Sequence, residues 1–154
     1  GATPVTCNGG NNGSASVLTS GGTAPYSYTW NTTPQQFAST ASSMSAGMFT
    51  VTVTDANGCA TISTVTITQP TPVLVSVSQG DTICPATPFS VNAQGSGGTG
   101  NYTYNWSPPG SLDDSTAASP QATPTATTYY TLTVIDGLGS PDQSRVIVVV
   151  DGLP

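Results

Sequence analysis

Gly21-Gly22-Thr23-Ala24-Pro25-Tyr26-Ser27-Tyr28-Thr29-Trp30 returns later in the chain as Gly97-Gly98-Thr99-Gly100-Asn101-Tyr102-Thr103-Tyr104-Asn105-Trp106, at an offset of 76 residues. Both runs alternate strictly. Tyr26, Tyr28 and Trp30 fall on one side of an extended chain and Ser27 and Thr29 on the other; Tyr102, Tyr104 and Trp106 stand in the same way against Thr103 and Asn105. A period of two with the large aromatics on one side marks a strand with a single buried face. A second correspondence lies downstream, where Phe49, Val51 and Val53 ahead of Asp55 match Tyr130, Leu132 and Val134 ahead of Asp136 at an offset of 81. The chain is therefore a duplication, with residues gained between these blocks in the loop 107–128.

Working outward, alternating or β-branched runs predict strands at Ser14–Thr19, Met48–Thr54 and Cys59–Thr68 in the first copy. In the second copy they predict Pro72–Ser78, Phe89–Ala93, Tyr129–Ile135 and Arg145–Val150. Turns are expected at Asp55-Ala56-Asn57-Gly58 and Asp136-Gly137, because Asn and Gly adopt positive φ at little cost. Short strands, a Trp on an inner strand of each copy and turns every ten or so residues describe an all-β chain of two tandem immunoglobulin-like β-sandwich domains. Two prolines in Gln69-Pro70-Thr71-Pro72 stiffen the connection, which places the domains at 1–69 and 70–154.

Composition narrows the function. Only 5% of the 154 residues are charged, with one Arg, no Lys, no His and a net charge of −6 carried by seven Asp. Nucleic acid is excluded as a partner, since phosphates need Lys and Arg to neutralise them. General acid–base catalysis by His, Glu or Lys is excluded by their absence, and His-based metal sites with it. No catalytic residue, cofactor or metal site is assigned, and the chain is read as a non-enzyme. Asp113-Asp114 is the only acidic pair, and neighbouring extended residues diverge rather than converge on one atom. Asp55 and Asp136 are read as turn residues whose carboxylates cap their own backbone. No stretch approaches the apolar length of a membrane span. The start at Gly1 without Met is read as that of a mature or excised segment.

Three Cys without metal-ligand spacing favour an oxidising, extracellular setting. Cys7 precedes the early strand of the first copy and Cys59 opens its last strand. A bridge between them is expected; closing a loop of about fifty residues, it contributes roughly 4 kcal/mol in the chain-entropy account. Two reduced, buried thiols are the alternative. Cys84 matches Cys7 by position but lacks a partner, because Leu138-Gly139-Ser140 stands where one is due. It is either a small buried hydrophobe or a thiol for a neighbouring chain. The rows Thr50, Thr52, Thr54 and Thr64, Thr66, Thr68 read as β-branched filler on a solvated face, with an ice- or sugar-binding plane as the sharper reading.

Met44–Cys59, together with Cys7 and the Gly21–Trp30 run, closely resembles the SprB repeat of giant cell-surface adhesins of gliding Bacteroidota. The likeness spans most of residues 5–70. Residues 72–150, with Ile83-Cys84-Pro85 and Ala122–Asp136, look like the Ig-like or PKD-like modules that accompany such repeats. The resemblance implies type IX secretion, display on the cell surface in tandem arrays, and a part in adhesion or gliding. It further implies O-glycans on Thr82 of Asp81-Thr82-Ile83 and Ser115 of Asp114-Ser115-Thr116, which fit the acceptor pattern of the phylum. Four Asn-x-Ser/Thr sequons, at Asn12, Asn31, Asn101 and Asn105, are of the number chance provides in so Ser/Thr-rich a chain.

The sequence thus leads to a structural and adhesive unit of an extracellular filament or giant surface adhesin. It is expected to form a homo-oligomer or filament by end-to-end or strand-edge contacts, with surface glycans as further partners. The runner-up is a pair of carbohydrate-binding modules, followed by ice binding.

Overall fold

A computed structural model describes residues 1–151. The chain divides into two compact units, Gly1–Pro70 and Thr71–Pro154. The fold is all-β and immunoglobulin-like, without a helix among the described residues.

The first unit contains β1 (Ala2–Thr3), β2 (Gly13–Ser16), β3 (Ser27–Trp30), β4 (Thr40–Met44), β5 (Gly47–Thr54) and β6 (Ala60–Ile67). Two sheets form, in the orders β1-β2-β4 and β3-β5-β6. The aromatic run behaves as its period demands: β3 pairs antiparallel with β5 from Ser27 opposite Thr54 to Trp30 opposite Val51. Trp30 is fully buried, and its indole N–H donates to the Ala38 carbonyl at 2.9 Å, so the one polar atom of the ring is satisfied inside the core. Val5, Ala15, Ala41, Met44, Val51, Val53 and Ile67 close around it. The β5–β6 hairpin turns at the predicted Asp55–Gly58, with Gly58 at φ 83°.

The second unit contains β7 (Leu74–Val77), β8 (Thr82–Ile83), β9 (Phe89–Ser90), β10 (Ala93–Ser96), β11 (Thr103–Ser107), β12 (Gln121–Ala122), β13 (Thr128–Ile135) and β14 (Pro141–Val150). Its main sheet runs β11-β13-β14-β8, with pairs β10-β7 and β12-β9 beside it. Trp106 repeats the role of Trp30, 1% exposed and donating from its ring nitrogen to the Ala117 carbonyl at 2.9 Å. Tyr130, Leu132, Val134, Val146 and Val148 supply the inward faces of β13 and β14.

Several expected strands change length. Ser14–Thr19 ends at Ser16, and β14 starts at Pro141 rather than Arg145. The run at Phe89–Ala93 breaks into β9 and the start of β10. β4 carried no signal in the sequence, because Ser43 sits at φ 55° and puts both Ala41 and Met44 inside, breaking the alternation.

Candidate functional site

The duplicated sequence builds the same corner twice. In the first unit Asp55 Oδ2 accepts the Thr23 N–H at 3.0 Å, while Oδ1 accepts the N–H groups of Asn57 and Cys59, both at 2.9 Å. In the second, Asp136 Oδ2 accepts the Thr99 N–H (2.9 Å) and hydroxyl (3.0 Å), and Oδ1 accepts the N–H groups of Leu138 (3.1 Å) and Ser140 (2.8 Å). Each carboxylate caps its own turn, as expected, and also ties that turn to the Gly-Gly-Thr loop of the aromatic strand. The first aromatic of each run completes the tie: the Tyr26 hydroxyl donates to Gly21 O at 2.6 Å and that of Tyr102 to Gly97 O at 2.5 Å. This is why the run begins with Gly-Gly. Gly21, Gly22, Gly97 and Gly98 all hold positive φ, which lets the loop fold back under the tyrosine.

Hydrogen bonds to the ionised form lower a carboxyl's pKa. For Asp136 the Ser140 N–H is the main cause, helped by Thr99 and Leu138 and opposed by burial, and the pKa falls to about 2. Asp55 is shifted in the same direction, chiefly by the N–H groups of Thr23 and Cys59. Asp114 is lowered by the Thr116 hydroxyl and N–H, which hold its Oδ1 at 2.7 and 2.8 Å. Asp113 Oδ1 accepts the N–H groups of Asp114 and Gln121. These carboxylates are committed to shaping backbone. No cluster of three or more metal-ligating side chains occurs among the described residues.

The cysteine pairing is corrected by the fold. Cys7 lies beside the end of β6: Val5 N–H donates to Thr68 O, Asn8 Nδ2 to Pro70 O and Gly9 N–H to Gln69 Oε1, at 3.0, 3.0 and 2.9 Å. Cys59 immediately precedes Ala60, the first residue of the same strand. The eight residues of β6 stand between them. At the rise of a strand this is about 25 Å, whereas a disulfide spans Cα atoms no more than ~7 Å apart. No Cys7–Cys59 bridge forms, and Cys59 is exposed. Cys84, just after β8, is exposed as well, not a buried hydrophobe.

Of the two acceptor residues, Thr82 is exposed in β8, its N–H held by Asp81 Oδ1 at 2.8 Å. Ser115 is half-buried, and its carbonyl accepts the Trp106 N–H at 2.8 Å. The Thr rows share the outer face of the β3-β5-β6 sheet, with Thr50 opposite Thr64 and Thr52 between Thr29 and Ile62; Thr68 falls beyond the strand. A groove of about 190 Å³ lies at the corner of the first unit, bounded by Thr19–Gly22, Asp55 and Cys59–Thr61, a feature that no local pattern of residues announces.

Residues 2–34 match the SprB repeat family. The chain is similar in structure to the three N-terminal domains of the outer capsid protein Hoc of bacteriophage RB49, at TM-score 0.61 and 17% identity, over 97% of this chain and 57% of that one. A more distant likeness, at TM-score 0.45 and 14% identity, is to extracellular domains 3–5 of Drosophila OTK, over 72% of this chain and 42% of that one. The chain thus spans just over half of the phage structure it matches. No curated protein sequence matches it. The family match over residues 2–34 of the first unit, taken with the immunoglobulin-like fold, supports an SprB repeat together with an Ig-like module.

Proposed function

We propose that this chain is a structural and adhesive unit displayed outside the cell, built from an SprB-type sandwich at 1–69 and a second Ig-like sandwich at 70–154, and that it associates end to end into a filament or array. The observation that carries this reading is the SprB match on a unit whose polar side chains are spent on holding loops rather than on a reactive centre. A chain with 5% charged residues also meets solvent mainly through hydroxyls, which suits O-glycans at Thr82 and Ser115. The exposed Cys84 thiol is open to a neighbouring chain. The chain acts without a catalytic step.

Electron microscopy of the purified chain at rising concentration tests the reading: particles are expected to lengthen in whole-subunit steps, and a chain that stays monomeric throughout overturns the end-to-end association. Intact mass of native material tests the glycans, since a mass equal to the bare 15.4 kDa chain removes them. The carbohydrate-binding alternative is favoured by one hollow of about 440 Å³ in the first unit, where Asn31, Gln36, Ser42 and Phe49 line the wall around a Thr32 hydroxyl with no hydrogen-bond partner. Glycan-array binding separates the two.

A further inference from the structure

The residues gained between the two repeated blocks fall in one loop, and the two units side by side show what they do. The Trp30 N–H donates to Gln36 O and the Trp106 N–H to Ser115 O, at 3.0 and 2.8 Å, so the loop after the aromatic strand is three residues longer in the second unit. There the extra length forms Ser111-Leu112-Asp113, which lies along β12. Leu112 pairs with Ala122 and packs on the core. The N–H of Thr123 donates to Ser111 O at 2.8 Å and that of Asp113 to Gln121 O at 3.0 Å, while Asp113 Oδ1 accepts the Gln121 N–H at 2.7 Å. The Ser111 and Tyr130 hydroxyls share a hydrogen bond of 2.5 Å, which closes the loop over the ring.

In the first unit a single side chain takes the place of that loop. Gln36 Nε2 donates to Ser42 O and Gln36 Oε1 accepts the Ser42 N–H, both at 2.9 Å. Phe49 stands where Tyr130 does in the repeat and has no hydroxyl to bond. The space left over is the hollow of about 440 Å³ between the loop 31–36 and the chain at 42–45. A bulge enlarges its polar wall: Ser43 at φ 55° turns Ser42 and Ser43 outward together while Ala41 and Met44 go in. Asn31 spends its Oδ1 on the Thr50 N–H at 2.7 Å, which leaves its Nδ2 to donate. The buried Thr32 hydroxyl makes no hydrogen bond within the chain.

We propose that this hollow binds one uncharged sugar unit, and that the chain is a single-site binder of neutral glycans rather than a pair of sugar-binding modules. No charged residue lines the hollow, so it offers nothing to pair with a carboxylate, phosphate or amine. The net charge of −6 repels acidic glycans besides. Hydroxyls and amides that donate and accept match the hydroxyls of a pyranose, and the half-buried Phe49 ring offers an apolar wall to its C–H face. An added peptide strand fits less well: Gln36 already occupies both main-chain groups of Ser42, and the buried Met44 leaves no pocket for an apolar side chain. In the second unit Ser111–Asp113 fills the corresponding place, which leaves one site per chain. Such a site rests on the adhesive reading above, whose ligand it names, and not on end-to-end association.

Titration of the full, isotope-labelled chain with the methyl glycosides of glucose, galactose, mannose and N-acetylglucosamine, followed by amide NMR, tests the site. At least one glycoside is expected to saturate at one equivalent per chain, with shifts confined to 31–36 and 42–49. Thr32→Val keeps the shape and removes the hydroxyl; it is expected to weaken that glycoside about tenfold, the effect of one unmade hydrogen bond in a polar site. Ser45→Trp, at an exposed position on the rim, is expected to abolish binding while the spectrum stays that of a folded chain, and Ser111→Ala in the second unit to leave binding unchanged. Glucuronic acid bound as tightly as methyl glucoside overturns the uncharged class, and saturation at two equivalents overturns the single site. The site itself is overturned by no saturable shift with any of these glycosides, by shifts that map outside the stated residues, or by binding that Thr32→Val and Ser45→Trp both leave intact; the adhesive reading then stands on other contacts. A chain that binds the free glycoside yet does not hold to a surface coated with the same sugar keeps the site and overturns the adhesive reading.

Discussion

Asp55 and Asp136 make nearly the same hydrogen bonds in corners of the same design, yet Asp136 is 4% exposed and Asp55 is half-buried. The carboxylates and their turns do not account for this difference. The segment Thr71–Val77 packs on Gly97, Gly98 and Asp142 beside Asp136 in the second unit, and no described residue takes that place beside Asp55 in the first. A local motif therefore fixes the shape of the corner, while a piece of chain from outside the motif fixes how dry it is. Burial alone raises a carboxyl's pKa, so the Ser140, Thr99 and Leu138 hydrogen bonds must outweigh it to hold Asp136 ionised down to about 2.

The comparison is tested most severely by removing one core from each side. The chain has two Trp, one in each unit, so each reports on the other's loss. Trp30→Ala and Trp106→Ala should each cost about 3–5 kcal/mol in the unit concerned. Guanidinium unfolding followed by the remaining Trp fluorescence is expected to show that unit unchanged; a single transition weakened by both variants would end the description as two units. A finer probe is Gly97→Ala against Gly21→Ala. Both residues hold positive φ, which an Ala tolerates at about 1 kcal/mol. At position 97 alone the new methyl also meets Pro72 O, adding ~1–3 kcal/mol of overpacking. Equal losses of melting temperature for the two variants would contradict the covered corner.

Acid separates the units more gently. Asp136 has its folded pKa depressed to about 2 from an ordinary 3.8, so it contributes stability that is fully present above the unfolded value and is lost as pH falls from about 4 to about 2. The second unit should lose thermal stability across that window, and Asp136→Asn should flatten the loss there while leaving the first unit's profile as it was. Calorimetry across that pH range reads both. The smallest effect belongs to the thiols. A reducing agent should leave the melting of the first unit unmoved, and non-reducing peptide mapping of the monomer should find no Cys7–Cys59 peptide, because β6 holds the two apart.

The aromatic runs, the Val-rich strands before Asp55 and Asp136, and the turns after them were legible in the sequence because period two and turn chemistry are local properties. The cysteine pair was not. Both residues flank one strand, and which end each occupies is decided by Val5, Asn8 and Gly9 bonding to Thr68–Pro70, contacts about sixty residues apart in sequence. β4 was lost to Ser43, whose left-handed backbone hides the apolar pair Ala41 and Met44 from any period. The groove was not legible: that Gly21, Gly22, Asp55 and Cys59 meet around one hollow follows from the registers of β3, β5 and β6, not from any local period.

In the second unit β8, near its start, runs parallel to the last rungs of β14, with Thr82 beside Val149 and Ile83 beside Val150. Tension that reaches β8 after the preceding segment Thr71–Val77 has let go, and β14 at its far end, pulls those two strands past each other along their length. The slanted bonds of a parallel pair are then loaded together in shear and must fail together, whereas a hairpin pulled from its open end unzips one rung at a time. Resistance to force is set by the rate of that rupture rather than by the free energy of unfolding. A short patch of bonds around Val149–Val150 thus gives the module the bearing of a link in a tether.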